Sequence, residues 1–113
     1  MKQFRQGDVL IVEVPEIPSN AVKRRRPRGK LVLAYGEVTG HHHAIAEPDV
    51  ELLEVREPVA DDAAARRVFL SVMGGPALLT HEEHDTVTIP PGNYEVVIQR
   101  EYQPGALPQR VVD

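Results

Sequence analysis

The sequence predicts an all-β fold, either a small single-domain β-barrel or a two-sheet sandwich, with little helix. Short apolar runs rich in valine recur along the chain, and its 10 prolines and 8 glycines separate these runs at close intervals. Short β-branched runs bounded by proline and glycine are typical of strands joined by turns. The only aromatic residues are 3 tyrosines and 2 phenylalanines, so the core is expected to consist mainly of aliphatic side chains.

The first predicted strand covers residues 8–14, an apolar run that follows the turn signal Gln6-Gly7-Asp8 and ends before Pro15. The segment 15–30 is predicted to be a loop because prolines and charged residues interrupt it. A second strand is predicted at 31–35. Residues 37–45 continue either as one bent strand or as a hairpin, and the sequence leaves both alternatives open.

Five more extended segments are expected in the second half of the chain, at 50–55, 68–73, 77–79, 86–89 and 94–102. Residues 58–67 form either one or two helical turns or a hairpin loop. Thr80 begins the capping pattern Thr-x-x-Glu, which predicts a single helical turn there. In the last strand, Tyr94, Val96 and Ile98 should share one face because side chains alternate along a strand. A polar tail is expected from 104.

Composition limits the class of protein. The 113 residues suit one domain, assigned here to 1–113, and the formal net charge of −4 argues against a general nucleic-acid binder. Because cysteine is absent, a metal would have to be held by His, Asp or Glu. The sequence has no apolar signal core and no run long enough to cross a membrane, so a cytoplasmic protein without membrane contact is expected.

A basic loop at 22–30 is the strongest local concentration of positive charge. We consider it a candidate partner-binding segment for a protein partner, for self-association or, less favoured, for nucleic acid. The alternative is an ordinary solvated loop, since no aromatic residue lies among the basic ones for base stacking. The candidate partner-binding side chains are Arg24, Arg25, Arg26 and Arg28.

All 5 histidines fall in two stretches, 41–43 and 81–84, which the fold is expected to bring together. Histidine is the commonest protein metal ligand. On a strand, His41 and His43 project from the same face, and His81 and His84 offer a second pair. The predicted metal ligands are His41, His43, His81, His84 and Glu47, with Glu83 and Asp85 as nearby carboxylates.

Imidazole and carboxylate together suit Zn(II), Fe(II), Mn(II) or Ni(II). Three protein ligands would leave a position for water and permit catalysis, whereas four would make the site structural. Two alternatives without metal remain. The histidines could act as acid, as base or as hydrogen-bond donors to an anion, or they could only shape loops or an interface. No nucleotide cofactor is expected, because Gly74-Gly75-Pro76 lacks the lysine and helix of a phosphate-binding loop.

The order Gly36, His41, His43 and Glu47 resembles the first metal motif of the cupins, and residues 84–92 resemble the strand and turn of their second motif. Cupins are small β-barrels that hold a metal with three histidines and a glutamate. This resemblance, over about half of the chain, implies a cupin-like fold with His41, His43 and Glu47 as ligands. Near the place of the fourth cupin ligand this chain has Glu95, so His81 or His84 would have to substitute.

Over nearly the whole chain, the sequence is also similar to a group of small uncharacterised proteins of actinobacteria and their phages. The shared stretches are 5–10, 36–41 together with His43 (GEVTGHxH), 79–84 (LTHEEH) and 99–102. The similarity implies that both histidine stretches are features of one family of proteins. It does not imply a reaction.

Two functions follow as hypotheses. The first is a small metal-binding β-barrel protein with a histidine-cluster site, whose catalytic role is left open. The second is a non-enzymatic, phage-associated interaction or assembly module that uses the basic loop and the histidine loops.

Overall fold

The computed structural model describes residues 2–26, 29–35, 41–56 and 66–99. These ranges contain ten β-strands and no α-helix. The strands are β1 (Gln3–Gln6), β2 (Val9–Glu13), β3 (Val22–Lys23), β4 (Leu31–Tyr35), β5 (His42–Ile45), β6 (Val50–Arg56), β7 (Arg66–Val72), β8 (Ala77–Thr80), β9 (Val87–Ile89) and β10 (Gly92–Ile98). Among the described residues no helix has the length and apolarity to cross a membrane.

The strands form two antiparallel sheets. One has six strands in the order β1-β2-β10-β7-β6-β3, and the other has four in the order β4-β5-β8-β9. Side chains from both sheets meet in one buried cluster, so the two-sheet sandwich is the architecture adopted. The all-β prediction is confirmed.

The core forms because side chains alternate between the two faces of a strand, so that every second residue of β2 and β10 points inward. In β2, Val9 and Ile11 are fully buried, while Leu10 between them is partly exposed. In β10, Tyr94 and Val96 are buried and Val97 is exposed, as the sequence predicts. From the smaller sheet, Leu31, Ile45, Leu79 and Ile89 complete the apolar layer.

The predicted strands at 8–14, 31–35, 50–55, 68–73, 77–79 and 86–89 all appear, with ends shifted by at most a few residues. The last one appears as β10, which ends at Ile98, before Gln99, and residues 100–102 of its predicted continuation lie outside the described residues. So do the segments 36–40 and 57–65, on which the hairpin alternatives depend, and the tail from 104.

Two strands were not predicted. β1 is polar and carries no apolar alternation, and β3 has only two residues, paired with Glu54 and Leu53 of β6. β1 forms because a two-residue turn, Gly7-Asp8, folds it back onto β2, with Gln6 opposite Val9. Gly7 has a φ of 58°, a conformation that glycine adopts without steric cost.

The helical turn predicted at Thr80 is wrong. Thr80 is the last residue of β8, and the residues after it form bends, not a helix. The Thr80 hydroxyl does not cap the following amides; it donates to the carbonyl of Ala44 on the neighbouring strand, at 3.2 Å. The pairing with β5 therefore overrides the local capping pattern.

The turn after β7 provides a stability prediction with a matched control. Gly74 has a φ of 78°, and a Cβ there would lie 2.8 Å from Oδ2 of Asp49. A left-handed non-glycine residue costs about 1–2 kcal/mol, so Gly74→Ala should lower the free energy of unfolding by at least that amount. Gly75→Ala meets open space and should change it by less than about 0.5 kcal/mol. Urea unfolding measures both changes in free energy. Equal effects of the two substitutions would contradict the strained backbone conformation assigned to Gly74.

Candidate metal centre

Two neighbouring strands of the smaller sheet place the central histidines. β5 pairs with β8 so that Ala44 lies opposite Thr80 and Ile45 opposite Leu79. Continuing this register by one residue places His43 opposite His81. Both side chains lie on the inward face, where His43 is fully buried and His81 is 9% exposed. Their ring centroids are 4.4 Å apart.

Two more imidazoles surround His81. The ring centroid of His84 is 4.7 Å from that of His81, and the His41 centroid is 5.8 Å from it. The rings of His43 and His84 stack at 6.0 Å. The structure thus brings together the four histidines that the sequence nominated, although no helical turn carries His81 and His84.

Three ligand atoms in this cluster converge closely. One atom each from His41, His81 and Glu82 lie within 4.8 Å of one another. A first-row metal holds nitrogen and oxygen ligands at about 2.0–2.2 Å, so small side-chain adjustments would place all three atoms around one ion. Glu82 was not among the predicted ligands.

The polar contacts of Glu82 favour its charged form. Its carboxylate accepts the backbone N–H of His42 at 2.9 Å, and this hydrogen bond is the main reason that the pKa of Glu82 is lowered. Nδ1 of His42 lies 3.5 Å from the other carboxylate oxygen. Glu82 is therefore ionised at neutral pH and can act as a metal ligand.

The ring nitrogens of His41 and His81 have few protein partners. Nδ1 of His81 accepts the backbone N–H of Glu83 at 3.1 Å, so in the uncharged ring the proton lies on Nε2. Within the described ranges, Nε2 of His81 and Nδ1 of His41 are buried and have no hydrogen-bond partner. The Glu83 carboxylate is 3.8 Å from Nδ1 of His41, beyond hydrogen-bonding distance.

A buried polar contact lies behind His43. Its Nδ1 is 2.8 Å from Oε1 of Gln6, and its Nε2 is 3.7 Å from Oδ1 of Asp8. Sequence reasoning missed Gln6 and Asp8, which it took only as a turn signal. No local pattern marks them, because the contact joins residues 37 apart in sequence.

Glu47 lies two residues after the end of β5 at Ile45 and is not part of the converging group. Its carboxylate accepts the backbone N–H of Leu78 at 3.1 Å. Leu78 precedes His81 by three residues, about 10 Å along an extended chain. The structure therefore gives Glu47 a contact with the strand and does not include it in the converging group.

Two arginines of the basic loop contact their own chain. Arg24 donates to the Glu54 carboxylate at 2.8 and 3.2 Å. Arg26 donates to backbone carbonyls, including that of Val50 at 2.6 Å. Arg25 is exposed, and Arg28 lies outside the described residues. Recruiting Arg24 or Arg26 to a partner would require breaking these contacts, so a partner-binding role of this loop stays a prediction.

A model for a domain of unknown function, DUF8820, matches residues 5–99. The chain belongs to the DUF8820 family. The matched DUF8820 region contains both histidine stretches and the Gln6–Asp8 turn. No curated protein and no solved structure matches the chain.

The DUF8820 assignment supports the expected membership of a small uncharacterised family. Its description names no activity, so any function must be argued from the side chains themselves. The actinobacterial or phage origin and the likeness to cupins stay predictions.

Proposed function

We propose that this DUF8820 protein binds one divalent transition metal ion through His41, His81 and Glu82. The observation that carries the proposal is the convergence of one ligand atom from each residue within 4.8 Å. Two imidazoles and an ionised carboxylate are a common donor set for such ions. The two partnerless nitrogens, Nδ1 of His41 and Nε2 of His81, give further support because buried polar atoms normally have partners.

The donor set favours an open coordination shell. Two histidines and a carboxylate occur in zinc hydrolases and in non-haem iron oxygenases, where water or substrate takes the remaining positions. The rings of His43 and His84, at 4.4 and 4.7 Å from that of His81, are close enough to contribute one more nitrogen after a modest rearrangement. The number of protein ligands therefore distinguishes two kinds of site. Three protein ligands leave a position for water or substrate, whereas four make the site structural.

Metal binding should be coupled to the loop between β8 and β9, residues 81–86, called here the histidine loop. A metal on Nε2 of His81 needs the electron pair of that atom, so the ring proton moves to Nδ1. Nδ1 can then no longer accept the N–H of Glu83, a hydrogen bond of 3.1 Å in the structure. The peptide at Glu83 would have to reorient when the ion binds.

Elemental analysis of untagged protein tests the proposal. The expected result is about one transition metal ion per chain, either as purified or after incubation with zinc, iron, manganese or nickel salts and removal of excess ion. Reconstitution of the metal-free protein with Co(II) should give visible absorption, whose intensity separates four-coordinate from six-coordinate sites. The backbone amide of Glu83 should shift in NMR spectra on addition of Zn(II).

A parent protein that binds none of the four metals would overturn the proposal. The alternative is then the interaction module predicted from sequence. Light scattering would support it by showing self-association of the metal-free protein.

A further inference from the structure

Gln6 joins the two sheets at the back of the histidine cluster. It is the last residue of β1 in the six-stranded sheet, and it is only 2% exposed. Its side-chain nitrogen donates to the carbonyl of Leu79, on β8 of the four-stranded sheet, at 2.9 Å. Because Gln6 itself belongs to the six-stranded sheet, this buried bond to the other sheet fixes where the cluster lies relative to β1.

The same nitrogen also donates to the carbonyl of Asp85, again at 2.9 Å. Leu79 and Asp85 bracket the segment that contains His81, Glu82 and His84. Both N–H groups of one amide therefore hold the two ends of this segment together. The histidine loop is closed by a side chain that is not part of the loop.

These two bonds determine how the amide is oriented. Because the nitrogen must face the two carbonyls, the oxygen of Gln6 faces Nδ1 of His43, at 2.8 Å. An amide oxygen only accepts hydrogen bonds, so Nδ1 of His43 carries the proton. The other ring nitrogen, Nε2, lies 3.7 Å from Oδ1 of Asp8.

We infer that Gln6 is the positioning residue of the metal site, which acts by closing the histidine loop and by fixing the tautomer and ring orientation of His43. The part of this inference that concerns metal affinity rests on the proposed function. Loss of an outer partner that orients the ligands of a metal typically costs about 10–100-fold in metal affinity. Gln6 would act on the proposed ligands His81 and Glu82 through the loop that it closes at Leu79 and Asp85. His81 packs against the ring that Gln6 orients, at 4.4 Å between centroids.

Two substitutions test the role of Gln6. Gln6→Met keeps the approximate length and removes all three hydrogen bonds. Gln6→Glu keeps an oxygen for His43 and places another against the carbonyls of Leu79 and Asp85. Both variants should bind Zn(II) about 10–100-fold more weakly than the parent in competition with a chromophoric chelator. The Co(II) spectrum should change as well.

Tyr94→Phe is the matched control. Tyr94 is also buried in the six-stranded sheet and also donates to a backbone carbonyl, that of Pro90 at 2.6 Å. Removal of the Tyr94 hydroxyl should lower the free energy of unfolding and leave Zn(II) affinity at the parent value. A Gln6→Met protein with parent affinity would overturn the inference, and so would equal losses of affinity in Gln6→Met and Tyr94→Phe.

A second measurement does not depend on metal. Two-bond nitrogen–proton NMR of the metal-free parent should show His43 protonated at Nδ1, and the Gln6→Met spectrum should lose this preference. A parent that binds no metal but shows this tautomer would overturn the proposed function alone. A parent with His43 protonated only at Nε2 would overturn the role of Gln6. If Gln6→Met does not fold, the role of Gln6 is tested with Gln6→Glu, by the same NMR spectra and by its Zn(II) affinity.

Discussion

Alanine in place of His81 is expected to lower metal affinity by more than the 10–100-fold that loss of an outer partner costs, so that the purified variant contains essentially no metal. His81 is central to the cluster, since its ring lies 4.4 to 5.8 Å from those of His43, His84 and His41. His41→Ala should behave in the same way, because both residues belong to the converging group. Chelator competition with Zn(II) measures the loss, and circular dichroism checks that each variant remains folded.

The two glutamates of this region form a matched pair for the same experiment. Glu82 and Glu47 each accept one backbone N–H, from His42 at 2.9 Å and from Leu78 at 3.1 Å, but only Glu82 belongs to the converging group. Glu82→Gln should therefore weaken Zn(II) binding strongly, and Glu47→Gln should leave it unchanged. The reverse result would restore the ligand set that the cupin likeness implies and would discard the one proposed from geometry.

The sequence predicted most of the fold because most strands carry their own signal. An apolar run marks β2 and apolar alternation marks β10; Pro15 follows β2 closely, and Pro91 directly precedes β10. β1 and β3 escaped prediction because their stability comes from pairing, not from composition. β1 is polar and depends on the turn at Gly7, and β3 is a two-residue addition to the edge of β6.

The histidines of the candidate site could be nominated from sequence, whereas the carboxylate could not. Glu47 and Glu82 are both close in sequence to a histidine, and spacing does not distinguish them. The register of β5 against β8 makes the distinction, because it brings the amide of His42 to Glu82 and leaves Glu47 beside Leu78. Gln6 was beyond sequence reasoning for the same reason, since its role follows from the packing of one sheet on the other.

The second large effect is expected in the core, at Tyr94. Its side chain is fully buried, contacts Phe4 edge-on at 6.0 Å between ring centroids, and donates to the Pro90 carbonyl at 2.6 Å. Aromatic-to-alanine changes in a core cost about 3–5 kcal/mol. This is a large part of the roughly 5–15 kcal/mol by which a domain is stable. Tyr94→Ala should therefore unfold at a much lower urea concentration and temperature than the parent, as measured by urea and thermal denaturation.

Tyr94→Phe separates the ring from the hydroxyl. Losing one hydrogen bond should cost about 1 kcal/mol, and the pH profile should change too. Burial, with a smaller contribution from Glu13, raises the pKa of Tyr94 above its usual 10.0. The folded chain then keeps a proton that the unfolded chain loses above about pH 10, so parent stability falls as pH rises through that range. Tyr94→Phe should lack this component of the alkaline decline. An unchanged alkaline profile in Tyr94→Phe would show that the buried hydroxyl is not responsible for it.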